Sequence, residues 1–416
     1  MRKTRVLLLT QWFDPEPTFK GLLFAKALRD RGFDVEVLTG FPNYPGGEVY
    51  PGYKIRALQR EFIDGIRIAR VALYPSHNRS ALGRVANYLS FAASASLYGI
   101  FGAARPDVIY AYHPPATTGI AAKLIGLVRR SATVLDIQDL WPDTLRATGM
   151  VGNRRLLAFV GAICRAIYAC ADRITVLSPG FKRLLEERGV PGTKLEVIYN
   201  WADESAMSDA EGELSPHFPR EGFRVLFAGN MGAAQQLDVA IGAAEVLARR
   251  GREAKFVFLR GGIDVGRLAD LARSKGLSNV TFLPAVPMKS VGAYLGNADA
   301  LLVHLREDPL FEITIPSKTQ AYMAAGKPVL MGVSGDAARL VDLSGGGVSF
   351  QPGNPDVMAD AVEQLMALSP EELARMGERG RDFYLRELSL AAGVERFGRI
   401  FETLSARRRR RCRPAA

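Results

Sequence analysis

A few short stretches carry the residues that could do chemistry. In Phe311–Leu330, FEITIPSKTQAYMAAGKPVL, Pro316 and Ser317 read as a helix entry, with Ser317 as N-cap and Lys318 in the first turn. A lysine there opposes the helix dipole, which favours acids at that end. The misfit makes sense if an anion sits on the helix end, and Glu312 could then accept hydrogen bonds from ribose or sugar hydroxyls. The competing reading is a serine-capped helix with a solvated lysine. LFAGNMGAAQQLD shows strand, glycine turn and helix in order. Gly229 and Gly232 would let the backbone approach a diphosphate, with Asn230 as a side-chain donor. FLRGG places Arg260 at a strand end, and a guanidinium fork suits phosphate.

Three further stretches lie in the first half. In TQWFDPEPTFKG, Lys20 and Gly21 sit at a helix N-terminus that could take a phosphate, although neither a G-x-G-x-x-G fingerprint nor a P-loop is present. In YAYHPPATTG, His113 ends a strand at the edge where α/β proteins bind ligands, and could orient a substrate hydroxyl. In LDIQDLWPDT, Asp136 and Asp139 fall at a strand end and could hold sugar hydroxyls, with Trp141 offering an apolar face to a ring. Helix capping by Asp139 or Asp143 accounts for one aspartate but hardly for the group.

These residues need a scaffold, and the sequence describes one. Apolar runs such as RVLLLTQWF, DVEVLTG, GIRIARVAL, PDVIYAYH, ATVLDIQDLWPD and DRITVLS alternate with helical patterns, as in βαβ units around a mostly parallel sheet. The pattern breaks in the acidic, proline-containing segment after Asn200 and restarts with FRVLFAGN, AKFVFLRGG, NVTFLPAV, ADALLVHL, KPVLMGV and GGVSFQP. The expected fold is therefore α/β, two doubly wound Rossmann-like domains facing a cleft. We place the first at 1–200, a linker at 201–222, the second at 223–385, a C-terminal helix at 386–406 returning to the first domain, and a basic tail at 407–416.

With 416 residues the chain exceeds one ordinary core, and its 48% hydrophobic and 23% charged content is that of a folded protein. Three cysteines without a C-x-x-C pair suggest neither a disulfide framework nor a metal site, and they fit a reducing cytoplasm. More than half of the +11 net charge rests on six arginines near the C-terminus (407–411 and 413), a run that favours anionic surfaces. Residues 80–103 form an unusually apolar helix preceded by Arg79, too interrupted to span a bilayer. It would either lie in a membrane interface or be a core helix.

The ordered series FPNYPGG, HPP, DLWPD, VLSPGF, VIYNWAD, FAGNMG and IPSKTQAYMAAGKPVL resembles the GT-B glycosyltransferases of family 4 over nearly the whole chain. The nearest group is bacterial enzymes assembling O-antigen, capsule or exopolysaccharide. The resemblance implies a retaining transferase working without metal or other cofactor. Its donor substrate, a nucleotide-diphosphate sugar, would be held by the second domain. The acceptor, a polyprenyl-diphosphate-linked glycan, would be presented by the first, at the cytoplasmic, anionic face of the plasma membrane, with no nucleic-acid partner. By position, His113 resembles the histidine near the reacting sugar, and Asp139 takes an acceptor-side or sugar-side place. Gly229, Asn230 and Gly232 match the phosphate turn, and Phe282 begins the strand end whose backbone meets the base.

Asn230 and Gln235 or Gln236 stand where many members carry Arg and Lys, which leaves Arg260 and Lys318 as the compensating cations. Of the usual glutamate pair, Glu312 lies within one residue of the first place, and Ala321 occupies the second. A nucleotide-sugar 2-epimerase of the same fold, or a non-catalytic protein binding nucleic acid or another anion, are the alternatives.

Overall fold

The computed structural model describes residues 2–76, 81–147, 153–204, 213–259 and 261–411. Arg79, Arg260, the central part of the expected linker and the tail from Cys412 lie outside the described residues. The chain divides into two compact units, Met1–Ile198 with Gly393–Ala416, and Tyr199–Ala392.

The first unit is built on an eight-stranded sheet in the order β3-β4-β2-β1-β5-β6-β7-β8. The strands are β1 (Arg5–Leu9), β2 (Asp34–Gly40), β3 (Leu58–Ile63), β4 (Ile66–Val71), β5 (Val108–His113), β6 (Ala132–Ile137), β7 (Arg173–Val176) and β8 (Leu195–Val197). Only β3 runs antiparallel to its neighbour. Every residue of β5 and β6 is buried, as expected of central parallel strands covered on both faces. Two strands escape the apolar-run pattern. In β3, LQREFI, exposed and half-buried positions alternate along a charged edge, and β8 has only three residues.

Helices Ala81–Phe101, Thr117–Arg129 and Arg154–Cys170 cover one side of this sheet, touching each other at Gly99 against Ile125 and at Gly119 against Ile167. Helix Leu22–Asp30 covers the other side together with the last helix, Leu390–Arg411. There Phe397 packs edge-on against Phe24 and Tyr110, and Phe401 against Phe33. Arg31 adds ion pairs to Glu395 (2.9 Å) and Glu402 (2.7 Å). The last helix runs on into the arginine run: Arg408 reaches Asp172 at 3.6 Å and Arg409 reaches Asp107 at 3.5 Å.

The second unit holds a six-stranded, wholly parallel sheet in the order β11-β10-β9-β12-β13-β14. Its strands are β9 (Phe223–Ala228), β10 (Ala254–Leu259), β11 (Val280–Leu283), β12 (Ala300–His304), β13 (Val329–Gly332) and β14 (Gly347–Ser349). Among the parallel strands of each sheet the order reverses once, between β1 and β5 in the first and between β9 and β12 in the second. Crevices at such switch points, beyond the carboxyl ends of the strands, are where open α/β sheets take ligands. His113 ends β5, His304 ends β12 and Gly229 follows β9, so all three stand at switch points.

Candidate active site

At the switch point of the first unit, His113 is fully buried, with its ring edge-on to Trp141 (centroids 6.1 Å apart) and tilted against Tyr168 (6.4 Å). Neither ring nitrogen has a hydrogen-bond partner among the described residues, nor does the buried hydroxyl of Thr117 in the turn that follows. Burial pushes the imidazole down to about 4, so it stays neutral at ordinary pH. It then offers one donor and one lone pair, both unspent. Asp139 is partly buried, and burial raises its carboxyl above the ordinary range.

Asp136 corrects the expectation of a carboxylate at the mouth of the site. Its side chain is completely buried and accepts hydrogen bonds from Lys20 Nζ (2.8 Å), Tyr110 Oη (2.6 Å), Gln138 Nε2 (2.9 Å) and Thr175 Oγ1 (2.7 Å). The hub ties β5, β6 and β7 to the loop after β1. It also redirects Lys20, whose ammonium is equally buried and sits 5.0 Å from the Phe397 ring. Burial lowers the lysine's pKa, and the aspartate beside it works in the opposite direction.

The phosphate role read for Gly21 meets a similar correction. The carboxylate of Asp14 accepts from Leu22 N at 2.6 Å, so the chain supplies its own anion to that helix end. A Cβ on Gly21 would lie 2.1 Å from that carboxylate, which is why the position takes glycine. Glu16 closes the same loop by accepting from the backbone N–H groups of Phe13 (3.0 Å), Asn43 (2.7 Å) and Tyr44 (2.7 Å). Close by, Gln11 donates to Asn87, which in turn donates to Tyr74 O (2.7 Å) and Asn43 Oδ1 (3.3 Å).

In the second unit the glycine turn after β9 is fixed from three sides. Gly229 N–H extends the β10 ladder to Leu259 O (3.0 Å), and Met231 N–H donates to Gly261 O (3.1 Å). Gly262 permits the approach, since a Cβ there would fall 2.1 Å from Met231 O. From β12, His304 Nδ1 meets Gln235 O at 2.8 Å, and Arg306 N–H donates to Ala234 O at 2.9 Å. Gln235 Oε1 accepts from Gly232 N–H at 3.0 Å. Asn230 is exposed at the tip of this turn. Phe282 in β11 is half-buried and stacks on Phe258 with centroids 5.0 Å apart, so its ring serves packing.

Helix Ser317–Ala324 is the third support. Its Tyr322 hydroxyl accepts from Ala228 N–H at 2.9 Å. Lys318, one turn earlier on the same face, is thereby laid against Gly229, with Nζ 4.7 Å from the Phe227 ring centre. Ser317 is not the N-cap. Pro316, with extended ψ of 136°, holds that position, and Ser317 is the first helical residue, exposed. The first turn carries neither a side-chain cap nor an acid. Glu312 is exposed at the end of the short helix Pro309–Glu312, and its backbone carbonyl lies close against Gly335, where φ is +80°.

Gly229 gives a sharp test of this geometry. Its φ is +147°, and a Cβ would stand 2.3 Å from Lys318 Cε, whereas at Gly232 the nearest atoms would be 3.5 Å away. Gly229→Ala is expected to cost about 1–3 kcal/mol in backbone strain and to swing the flexible lysine aside. Gly232→Ala is expected to cost much less; thermal unfolding of the two variants checks the contrast.

Two parallel-sheet Rossmann-like units with polar groups gathered at their switch points define the chain as a GT-B glycosyltransferase. It is built from a Glycosyl transferase 4-like domain over residues 22–201 and a Glycosyl transferases group 1 domain over residues 215–383. Similar proteins include the probable glycosyltransferase WbjE of Pseudomonas aeruginosa, 26% identical over 309 residues, 71% of this chain and 74% of that one. The putative colanic acid biosynthesis glycosyl transferase WcaI of Escherichia coli (strain K12) is 26% identical over 310 residues, 72% and 75% of the two chains. Among solved structures, that of Anabaena Alr3699/HepE in complex with UDP superposes with a TM-score of 0.66 at 15% identity, over 96% of this chain and all of that one.

Proposed function

We propose that the enzyme transfers a sugar, with retention of anomeric configuration, from a nucleotide-diphosphate sugar to a lipid-linked glycan in surface polysaccharide synthesis. The observation that carries the donor half is Lys318. It stands in the first turn of a helix with no cap and no acid, pressed against the glycine turn that follows β9. As the anomeric C–O bond breaks, its electron pair leaves on the diphosphate, and a cation with oriented N–H groups favours that developing charge. In this reading Gly229, Asn230, Gly232 and Ser317 line the diphosphate with Arg260, the backbone at Phe282 meets the base, and Glu312 reaches a ribose or sugar hydroxyl.

The acceptor half rests on His113 and Asp139 in the first unit. The relative named for colanic acid biosynthesis supports the product class, and the complex with UDP supports a nucleotide-diphosphate donor. The enzyme would work at the cytoplasmic face of the membrane.

Lys318→Ala is expected to weaken donor binding about tenfold to a hundredfold, the worth of a charge-assisted hydrogen bond, with little change in thermal stability. Titration of UDP-, GDP- and dTDP-sugars against both proteins measures it. Equal affinities would remove the donor site. The wild-type enzyme is also expected to release free nucleotide only when a glycolipid acceptor is added, and release without acceptor would count against transfer.

A further inference from the structure

The first unit exposes an apolar face that its own fold does not need. On helix Ala81–Phe101 the solvent side carries Leu82, Val85, Leu89, Ala93, Leu97 and Phe101, with Leu82 83% and Phe101 80% exposed. These lie three or four residues apart, one continuous stripe along a helix, and 21 residues give it a length of about 30 Å. The opposite side of the same helix holds buried Phe91, Ala92 and Ala95. It is therefore a packed helix with a second apolar face.

The neighbouring helix, Thr117–Arg129, continues the surface with Leu124, Leu127 and Val128, and the next, Arg154–Cys170, with Leu156 and Phe159. Together these three helices supply half of the large apolar side chains exposed among the described residues. Monomeric proteins rarely leave such an area open to water without a partner.

Charge says what the partner is. The three helices contain no aspartate or glutamate, but they do contain Arg84, Lys123, Arg129, Arg154, Arg155 and Arg165. Exposed Arg105 and Arg130 follow their ends. The helices on the other side of the sheet mix the two signs, with Asp30, Glu395 and Glu402 among Lys26, Arg29, Arg396, Arg399 and the arginines from 407. An apolar face on helices whose charged side chains are all cationic fits the headgroup and acyl boundary of an anionic bilayer. A second copy fits it poorly, because a two-fold interface would set like charges together. No helix among the described residues is long and apolar enough to cross a membrane, so the contact is with the surface.

We propose that this three-helix face docks the enzyme on an anionic lipid surface. The face begins beside the candidate site: Tyr88, on the same helix, stands 6.2 Å from Trp141, which covers His113. A lipid-borne acceptor moving along it arrives at the end of β5. That purpose rests on the lipid-linked reading of the acceptor; the docking itself does not.

The test uses the full chain and vesicles of phosphatidylcholine, either pure or with about a third phosphatidylglycerol. The wild-type protein is expected to co-sediment with the anionic vesicles at least roughly tenfold more strongly than with the neutral ones. The triple variant Leu89→Glu, Leu97→Glu, Leu127→Glu changes exposed positions only, so its unfolding temperature and donor-induced thermal shift should match wild type. Its vesicle affinity is expected to fall at least roughly tenfold. Arg130→Glu with Arg155→Glu should weaken anionic binding alone.

Failure of wild type to bind anionic vesicles, or unchanged binding by the triple variant, overturns the proposal. So does a wild-type dimer that the triple variant dissociates while vesicle binding persists. Transfer measured in detergent, where docking is not required, separates the two readings. Lost docking with no transfer to a glycolipid would leave the surface standing and remove the proposed acceptor.

Discussion

Lys20→Met is expected to destabilise the first unit by about 3–5 kcal/mol, because it leaves the Asp136 carboxylate charged and uncompensated in the interior. Both side chains are completely shielded from water, so solvent does not soften the loss. Tyr110, Gln138 and Thr175 would still donate to the aspartate, but they bring no positive charge. The double variant Lys20→Met, Asp136→Asn should recover a large part of the stability, since an amide oxygen keeps an acceptor there and buries no charge. Urea unfolding of the two variants and wild type reads the difference. A single-variant loss under about 1 kcal/mol, as for exposed pairs, would show that water reaches the pair.

That ion pair marks the boundary of what local sequence reveals. The central strands announce themselves because parallel strands covered on both faces must be apolar throughout, as in VIYAYH and ALLVH. An aspartate inside ATVLDI was a usable signal, since a carboxylate in a fully buried strand demands a cation. Its partner lies 116 residues away, however, and spacing does not show which lysine supplies it. Glu16 and the Gln11–Asn87 contact stayed hidden for the same reason.

Near the glycine turn, sequence order located Gly229 and Lys318 separately, but their contact depends on Tyr322 binding the end of β9. Ser317 misled because serine is a frequent N-cap. Here the preceding proline already has the extended conformation of that position, and serine enters the helix. The apolar helix near residue 90 admitted two readings because the sequence is rich in small and apolar residues on every side; the structure shows that one face is packed and the other open.

His113 is where stability and turnover are expected to respond together. In the unfolded chain the imidazole takes its proton near its ordinary value of 6.5, but in the folded unit only at about 4. The unfolded state thus binds more protons between those values, and stability must rise with pH across that window. Acidification from about 6.5 to 4 should withdraw up to about 3 kcal/mol at this one residue, at 1.36 kcal/mol per pH unit. His113→Gln, which does not titrate, should show a flatter stability profile over that range.

At neutral pH the uncharged ring has both nitrogens free of protein partners among the described residues. Hydrogen bonds from it to the reacting sugar would account for that. With donor saturating, His113→Ala is then expected to lower kcat about tenfold to a hundredfold, and His113→Gln to restore part of the loss through its amide. A flattened stability profile with unchanged kcat would assign the histidine to the core of the first unit. Lost turnover with an unchanged profile would place the proton elsewhere, and the neutral ring would no longer explain the site.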